Sequence, residues 1–412
     1  MKYCLIGEKL SHSFSADIHN ARGFDYTLKE IPQDALKSFF DSCEYDGFNI
    51  TIPYKNTAMQ LVDEISFEAK EIGAINTVKR EGGRLIGYNT DLGGIKYMLK
   101  RKGVSLKDKN VLILGTGGAS KPIHYLAKCE GAKSIDFVSR SGAINYDNYM
   151  IKAKNAEIIF NATPVGMYPD NDSCKIDLLM FKNLLAVFDL VYNPLKTKLI
   201  EKAEKLGIAC SNGLSMLVEQ ALLSEDIWTN GQHEGQDTEE LIAKITKQKT
   251  NIILCGMPSS GKTTIGKEIA TLTAREFIDT DAEILKRNGK SPKDIIETLG
   301  ENEFRNRETA VIKDISKIGG RVIALGGGAI LREENVIHLR QNGVIVQIDR
   351  DLSKLSIKGR PISKKCGIEE LYKTRKPIYD SVSDIIVKNN GTKIETAQEV
   401  IREYENTCNK WC

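Results

Sequence analysis

A nine-residue loop constrains this chain more than any other feature. Residues 256–264, GMPSSGKTT, directly follow the apolar stretch NIILC at 251–255. They satisfy the pattern GxxxxGK[ST] completely, through Gly256, Gly261, Lys262 and Thr263. In this pattern backbone N–H groups surround phosphates, the lysine reaches the outer phosphates and the hydroxyl binds Mg²⁺. We therefore predict a strand, a phosphate loop and a helix here, in a domain that binds ATP or GTP.

A second glycine-rich loop lies in the first half of the chain. The segment NVLILGTGGAS, residues 110–120, reads as a strand, a tight turn and the start of a helix. Such a turn lets a pyrophosphate approach the helix N-terminus, although Ser120 stands where the strict GxGxxG pattern has its last glycine. The next strand ends in Ser139 and Arg140 rather than in an acid, which favours NADP over NAD. A glycine turn without a ligand and an ordinary exposed Arg140 remain open alternatives.

Both halves alternate strand and helix patterns, so the predicted class is α/β, with parallel sheets and crossover helices. The predicted strands are 3–6, 24–31, 48–52, 111–114, 135–138, 157–160, 187–191, 251–255, 277–278, 322–324 and 344–348. One hairpin is expected, turning at Gly82 and Gly83. A polar stretch, TNGQHEGQDTEE at 229–240, has a linker's composition, and Asp237 could cap a short linker helix.

Composition excludes several classes of protein. The 412 residues carry a net charge of only +3 from 58 basic and 55 acidic side chains, so we expect no nucleic-acid partner. Nine scattered cysteines without CxxC spacing argue against a disulfide framework or a zinc site and suit a reducing compartment. Neither a signal-peptide core nor an apolar run long enough to span a membrane is found. We expect a cytoplasmic protein without a membrane partner.

Further motifs follow the phosphate loop. FIDTD supplies Asp279 and Asp281, and alternate residues at a strand end share one face, so one carboxylate could hold Mg²⁺ through water while the other orients a hydroxyl. The others are GENEFRNRE, the glycines 326–328, KGRPI and LYKTRKPIYD. In this order they resemble shikimate kinase, over residues 250 to about 385. Ser259 departs from the family's glycine, and residues 362–370 match nothing familiar, so their effects stay open.

The kinase resemblance assigns roles to single residues. It implies that shikimate is held by Asp281, Arg305, Gly327 (through its backbone) and Arg375. It implies ATP contacts from Ser259, Ser260, Gly261, Lys262, Thr263, Thr264 and the lid residue Arg360. Mg²⁺ would be bound by Thr263 and, through water, by Asp279. The expected catalytic residues of this half are Asp281, Lys262 and Arg360.

Seven motifs in the first half resemble shikimate dehydrogenase. They are HSFS, NITIPYK, GAINT, GYNTDLGG, NATPVGM, DLVYNP and NGLSMLVEQA. The resemblance implies substrate contacts from Ser13, Ser15, Thr51, Asn76, Asp91, Tyr192 and Gln220. It implies NADP contacts from Gly115, Thr116, Gly117, Gly118, Ala119, Ser139, Arg140, Thr163, Leu190, Gly213 and Met216. His12 is expected to be a structural residue.

Lys55 is the expected proton donor of this half. It lies just beyond a strand that Pro53 interrupts, and reducing a ketone by hydride leaves an alkoxide that an ammonium group can protonate. Asp91 would orient the amine and is expected to be the second catalytic residue.

Together the resemblances imply a two-enzyme chain. It would reduce 3-dehydroshikimate to shikimate with NADPH and then phosphorylate the shikimate 3-hydroxyl with MgATP. The expected domains are a substrate lobe (1–100), a Rossmann-like lobe (101–213), a returning helix (214–228), a linker (229–249) and the kinase (250–412). Two alternatives are a broader quinate/shikimate dehydrogenase that could use NAD, and an NADP- and ATP-sensing regulatory protein without turnover. Channelling and oligomeric state stay open.

Overall fold

The computed structural model describes residues 1–11, 13–42, 44–355 and 367–411. The chain forms two compact units, Met1–Ile242 and Ala243–Cys412. The first unit contains two sheets and the second contains one, and helices accompany each sheet. The predicted α/β class is therefore confirmed in both units.

The first sheet has six strands in the order β2-β1-β3-β5-β6-β4. Its strands are β1 Tyr3–Gly7, β2 Tyr26–Glu30, β3 Gly47–Ile50, β4 Glu64–Ile65, β5 Thr77–Glu81 and β6 Arg84–Tyr88. Its helices are α1 Ser15–Ala21, α2 Leu36–Asp41 and α3 Phe67–Ile72, followed by α4 Asp91–Arg101. Every residue of β1 and β3 is buried, and Phe48, Ile50 and Tyr54 belong to the core beside them.

The expectation of parallel sheets is wrong for part of this sheet. Strand β5 runs antiparallel to both β3 and β6, whereas β1 is parallel to β2 and β3. The predicted hairpin joins β5 to β6. Gly82 and Gly83 form its two-residue turn with φ of +58° and +81°. Two left-handed residues match the twist of paired strands, and so short a turn can connect only antiparallel neighbours.

The second sheet is wholly parallel, in the order β11-β10-β9-β7-β8. Its strands are β7 Asn110–Leu114, β8 Ser134–Val138, β9 Ile158–Asn161, β10 Ala186–Asp189 and β11 Ala209–Ser211. Its helices are α5 Ser120–Cys129, α6 Tyr149–Lys152 and α7 Lys198–Lys205. Apolar clusters cover both faces, one around Ile113 and Phe160 and the other around Leu112 and Ile159. Alternate residues of each strand enter opposite clusters, so the strands are buried on both faces of the sheet.

Helix α8, Leu214–Thr229, leaves the second sheet and packs on α4, α1 and β5. Its end is fixed by Trp228, whose indole N–H donates to the Val78 carbonyl at 2.9 Å. Gly47 makes room for this ring, because a Cβ there would lie 2.3 Å from the indole. The helix therefore connects the two sheets of the first unit.

A helix occupies most of the segment where we predicted a linker. Helix α9 spans Gly235–Lys249, so it begins before Asp237, and the boundary between the two units falls within it. Glu239 accepts two hydrogen bonds from Arg101, at 2.6 and 2.7 Å, and one from Tyr97 at 2.5 Å. The first turns of α9 are thus tied to α4. The division into functional domains stays a prediction.

The third sheet, in the second unit, is parallel with the order β13-β14-β12-β15-β16. Its strands are β12 Asn251–Cys255, β13 Phe277–Asp279, β14 Val322–Ala324, β15 Gly343–Asp349 and β16 Ile385–Lys388. The helices described in this unit are α10 Lys262–Thr273, α11 Thr280–Asn288, α12 Pro292–Leu299, α13 Glu301–Ile315, α14 Glu333–Arg340, α15 Ile368–Val382 and α16 Lys393–Trp411. Separate apolar clusters cover the two faces of the sheet.

Among the cysteines that the structure describes, Cys129, Cys174, Cys210 and Cys255 are free thiols. Across the same described ranges, no cluster of three or more His, Cys, Asp or Glu side chains could hold a metal ion. Among the described helices, none combines the length and the hydropathy that a bilayer-spanning segment requires.

Candidate active sites

Lys55 and Asp91 form the centre of the first site. The ammonium of Lys55 donates to Asp91 Oδ2 at 2.5 Å, and the two side chains are only 14% and 5% exposed. Strand β3 ends at Ile50, so Lys55 lies in the loop beyond it, and Asp91 opens helix α4. A carboxylate in the first turn of a helix is stabilised by the N–H groups exposed there. The pair therefore presents a proton donor held by a buried carboxylate.

Asn76 and Gln220 extend this centre. Asn76 donates to Asp91 Oδ1 at 3.0 Å and to Gln220 Oε1 at 3.2 Å. The backbone N–H of Thr90 donates to Asn76 Oδ1 at 2.7 Å, which leaves the Asn76 amide nitrogen facing Asp91. Four residues that the sequence placed at the substrate thus form one connected set: Lys55, Asp91, Asn76 and Gln220.

A buried polar cluster lies behind Asn76, and sequence reasoning missed it. The hydroxyls of Thr77, Thr90 and Ser224 lie within 2.9–3.2 Å of one another. Asn49 donates to Ser224 Oγ at 2.9 Å and to Thr77 Oγ1 at 3.0 Å. These side chains are all at most 4% exposed, so they fix the strand and helix that carry Asn76 and Gln220. The signal available in the sequence was that Asn49, Thr77 and Thr90 lie within the motifs NITIPYK, GAINT and GYNTDLGG.

Ser13, Ser15 and Tyr192 form a second set in this unit. Ser13 Oγ donates to Ser15 Oγ at 3.1 Å. Burial raises the pKa of Tyr192, while its hydrogen bond with Ser13 opposes that shift. Thr51 lies between β3 and Lys55, and its N–H donates to the Ile6 carbonyl at 3.0 Å. The neighbouring His12 lies outside the described residues.

The glycine loop after β7 packs against the Lys55 side chain. A Cβ added at Gly118 would lie 3.5 Å from Lys55 Cβ. Gly115 has a φ of +101°, and a Cβ there would lie 2.8 Å from Thr163 Cγ2, so only glycine fits this turn. Residues 116–119 lead into α5, whose first N–H groups can receive a phosphate. Thr116, Gly117 and Ala119 lie in this loop, and their contact with a dinucleotide stays a prediction.

The remaining residues predicted to contact NADP lie at the ends of neighbouring strands. Ser139 and the exposed Arg140 follow β8, and Leu190 follows β10. Gly213 precedes α8 and approaches Leu190 so closely that a Cβ would lie 2.1 Å from its carbonyl oxygen. Met216 packs one turn further along α8, against Gly94. Strand carboxyl ends, a glycine turn and an arginine fit a dinucleotide with a 2′-phosphate.

In the second unit, the phosphate loop runs from β12 into α10. The ammonium of Lys262 donates to the carbonyls of Gly256 and Met257, each at 2.9 Å. Ser259 has a φ of +65°, and the Ser260 carbonyl accepts from Asn389 at 2.7 Å. With Gly261 at a φ of +101°, the loop has the left-handed turns that aim backbone N–H groups at a phosphate.

Thr263 and Asp279 fit a magnesium site. Thr263 and Thr264 lie exposed in the first turn of α10. Thr263 Oγ1 donates to Asp279 Oδ2 at 2.8 Å, while Asp279 Oδ1 accepts from the N–H of Asp281 at 3.0 Å. A hydroxyl next to a carboxylate is an oxygen pair of the kind that Mg²⁺ prefers.

Asp281 and Arg305 face a glycine loop at residues 326–328. A Cβ added at Gly326 would lie 2.8 Å from Asp281 Oδ1, and one at Gly328 would lie 2.3 Å from the Arg305 guanidinium. Arg305 also donates to Glu308 Oε2 at 2.7 Å. Burial raises the pKa of Glu308, and the Arg305 charge opposes that shift. Sequence reasoning missed Glu308, although it lies three residues from Arg305 on the same helix.

Arg375 reaches the same glycine loop from α15. Its Nη1 donates to the Gly327 carbonyl at 3.0 Å. A Cβ at Gly327 would lie 3.2 Å from Pro258, which places this glycine against the phosphate loop. The structure thus brings Asp281, Arg305, Gly327 and Arg375 together beside the phosphate loop. Arg360 lies outside the described residues, as does most of the unfamiliar stretch, 362–366.

Comparisons with known proteins match both units. Residues 5–78 match the family model "Shikimate dehydrogenase substrate binding domain", and residues 258–405 match "Shikimate kinase". Shikimate dehydrogenase (NADP(+)) of Methanococcus maripaludis strain C6 is 42% identical over an alignment of 251 residues, and the match covers 55% of this chain and 90% of that protein. The same enzyme of Caldicellulosiruptor bescii is 39% identical over an alignment of 262 residues, with coverage of 55% of this chain and 88% of that protein.

Solved structures resemble the first unit. A chorismate mutase/shikimate 5-dehydrogenase fusion protein from Clostridium acetobutylicum has a TM-score of 0.56 and 35% identity, covering 59% of this chain and 96% of that one. Shikimate 5-dehydrogenase from Thermus thermophilus, in complex with NADP(H) and shikimate, has a TM-score of 0.53 and 30% identity, covering 59% and 99%.

The folds and sites define a chain of two nucleotide-dependent units, a dinucleotide-binding dehydrogenase followed by a P-loop kinase. The chain belongs to the shikimate dehydrogenase family, and its second unit carries a shikimate kinase domain. Both resemblances drawn from the sequence motifs are therefore confirmed. The roles of individual residues stay predictions.

Proposed function

We propose that the protein carries out two consecutive reactions. The first unit reduces the ketone of 3-dehydroshikimate with NADPH and a proton, which gives shikimate and NADP⁺. The second transfers the terminal phosphoryl group of ATP to the shikimate 3-hydroxyl, with Mg²⁺, which gives shikimate 3-phosphate and ADP. The observation that carries the first reaction is the Lys55–Asp91 pair, whose lysine packs against the dinucleotide loop at Gly118. The second reaction is supported by Asp281, Arg305 and Arg375, which lie together beside the phosphate loop. The family membership of both units supports the proposal.

In the first reaction, Lys55 supplies the proton. NADPH, when bound, supplies the hydride. As negative charge develops on the former ketone oxygen, the Lys55 ammonium donates a proton to it, and the oxidation of the alcohol uses the reverse transfer. Asp91 accepts a hydrogen bond from Lys55, so the amine is held in one orientation. The buried contacts of Asn76 and Gln220 keep Asp91 in place and present further polar groups to the substrate's hydroxyls.

In the second reaction, Asp281 orients the hydroxyl that is phosphorylated. Its carboxylate lies at Gly326, within the group that also contains Arg305 and Arg375. Two guanidinium groups suit the carboxylate of an acidic substrate, because each can donate two parallel hydrogen bonds. Lys262 lies in the phosphate loop, where its charge offsets that of the phosphoryl group. Thr263 and Asp279 would hold Mg²⁺, which supplies charge stabilisation to the phosphates.

A single mixture tests the whole proposal. The full chain is incubated with 3-dehydroshikimate, NADPH and MgATP, and the products are followed by mass spectrometry. We expect NADPH to be consumed and shikimate 3-phosphate to appear. Shikimate alone would refute the kinase assignment, and no turnover at all would favour the sensor alternative.

Lys55→Ala separates the two activities. We expect at least a 100-fold loss of NADPH oxidation, because general acid catalysis contributes about 10²–10⁴-fold. Phosphorylation of added shikimate by the same variant should be unchanged. The matched control is Lys9→Ala, which removes an exposed lysine from the same unit. Wild-type reductase activity in Lys55→Ala would show that the catalytic assignment is wrong.

We also propose a cytoplasmic location, with small-molecule substrates as partners and neither nucleic acid nor membrane among them. The free thiols in the described part of the chain and the use of NADPH as reductant suit a reducing compartment.

A further inference from the structure

The carbonyl of Gly327 accepts two hydrogen bonds from one helix. Arg375 Nη1 donates to it at 3.0 Å, and the Tyr379 hydroxyl donates at 2.5 Å. The two residues are four apart on α15, so their side chains lie on the same face. The sequence motifs assign a substrate contact to Arg375 and give Tyr379 no role.

Both donors are buried. Tyr379 is 1% exposed and Arg375 is 8% exposed, so both donors reach the partly buried Gly327 carbonyl from within the protein. Burial raises the pKa of Tyr379 to about 12, and the positive charge of Arg375 opposes that shift. The phenol therefore stays protonated and remains a donor at any working pH.

The rest of the glycine loop is anchored at other points. The Gly326 N–H donates to Thr280 Oγ1 at 2.8 Å, and Asn335 donates to the Ala329 carbonyl at 2.7 Å. A side chain at Gly328 would displace the Arg305 guanidinium, and one at Gly327 would be tight against Pro258. The orientation of the peptide between Gly327 and Gly328 depends on the donors to its carbonyl. In a trans peptide the following N–H points the opposite way, so the same donors also orient the N–H of Gly328.

We propose that Tyr379 is a positioning residue, which holds the Gly327 carbonyl when Arg375 turns to the carboxylate of the substrate. The inference rests on the proposed kinase function. A bidentate contact with a carboxylate fixes the plane of a guanidinium, so Arg375 keeps its hydrogen bond to Gly327 only if one orientation suits both partners. With Tyr379 in place, the loop keeps one donor whichever way Arg375 turns. Without it, a single orientation of Arg375 has to serve the loop and the carboxylate at once.

Tyr379→Phe in the full chain tests this role, since it removes one oxygen and keeps the ring. We expect the KM for shikimate to rise about tenfold, which is the effect of losing one hydrogen bond near a charge, while the KM for ATP changes by less than about twofold. Tyr372→Phe, on the same helix, is the matched control and should change neither KM value. The KM for ATP of each variant reports whether the phosphate loop of the second unit is intact, and the reductase activity reports on the first unit.

A double-mutant cycle with Arg375→Lys tests whether Tyr379→Phe raises the KM for shikimate through Arg375. Because lysine cannot form the bidentate contact, the tenfold effect of Tyr379→Phe should shrink to below about threefold in the Arg375→Lys background. An undiminished effect would overturn the inference, as would an unchanged KM for shikimate or an equal rise in both KM values. If the wild-type chain does not phosphorylate shikimate at all, the proposed kinase function fails first and this inference fails with it.

Discussion

At the scale of single residues, Ser259 shows how a departure from a motif affects the backbone. Its φ of +65° is in the left-handed region, where the side chain of an L-residue crowds the following carbonyl. The resemblance to shikimate kinases places a glycine at this position. Ser259 therefore keeps the shape of the phosphate loop, at the cost of local strain that a glycine would not have.

We predict that Ser259→Gly stabilises the second unit by about 0.5–1 kcal/mol. Removing the strain is worth about 1–2 kcal/mol, and the greater freedom of glycine in the unfolded chain offsets about 0.5–1 kcal/mol of it. Urea unfolding of the full chain measures the change, with and without MgATP. Ser260→Gly is the matched control, because Ser260 is not one of the residues with positive φ. Equal effects of the two substitutions would contradict the strain argument.

At the scale of elements, the turn between α8 and α9 depends on His233. Its Nδ1 lies 2.7 Å from Asp226 Oδ2 and its Nε2 lies 3.2 Å from Glu219 Oε2, so both ring nitrogens meet carboxylates. Thr238 on α9 also donates to Glu219, at 2.7 Å. The hydrogen bond with Glu219, together with that to Asp226, raises the pKa of His233 to about 9, although burial opposes the shift.

This histidine predicts a pH dependence of stability. Because its folded pKa is above the unfolded value of about 6.5, the added stability is complete below pH 6.5 and is lost as the pH rises through 9. The raised pKa corresponds to roughly 3 kcal/mol at most. We expect the free energy of unfolding of the first unit to fall by up to this amount between pH 6.5 and 9.5.

Denaturant titrations at several pH values measure this fall in the free energy of unfolding. His233→Gln cannot become charged, so this variant should be less stable than the wild type at pH 6.5 and should show a flatter profile. An identical pH profile in the two proteins would rule out His233 as the cause.

At the scale of the whole molecule, each unit has its own apolar cores. In the first unit, apolar clusters cover both faces of the five-stranded sheet. In the second unit, separate apolar clusters cover both faces of its own sheet. Units with separate cores commonly unfold in separate steps.

We predict that the two cofactors stabilise the chain separately. A ligand present at 100 times its Kd stabilises the unit that binds it by about 2.7 kcal/mol. NADP⁺ should therefore raise the midpoint temperature of one calorimetric unfolding transition, and MgATP should raise that of the other. In Lys262→Met, only the response to MgATP should disappear. A single unfolding transition whose midpoint temperature rises with either ligand would contradict this prediction.

Much of the architecture could be predicted from the sequence, because its signals are local. The phosphate loop, the glycine turn after β7 and the hairpin at Gly82 and Gly83 each depend on residues close together in the chain. Strands β4, β11 and β16 were missed: each is short, lies at the edge of its sheet and is only partly buried. The mixed order of the first sheet was missed because strand order depends on pairing between residues far apart in the chain.

The sequence by itself determined the class of fold, the family and the residue types at both sites, since motif spacing reports directly on local backbone geometry. The tertiary structure alone decided which side chains meet. Lys55 contacts Asp91 across 36 positions, Asn49 contacts Ser224 across 175, and Tyr379 contacts Gly327 across 52. Such contacts depend on how strands and helices pack, and burial then turns ordinary polar residues into fixed hydrogen-bond partners. No local pattern records that packing.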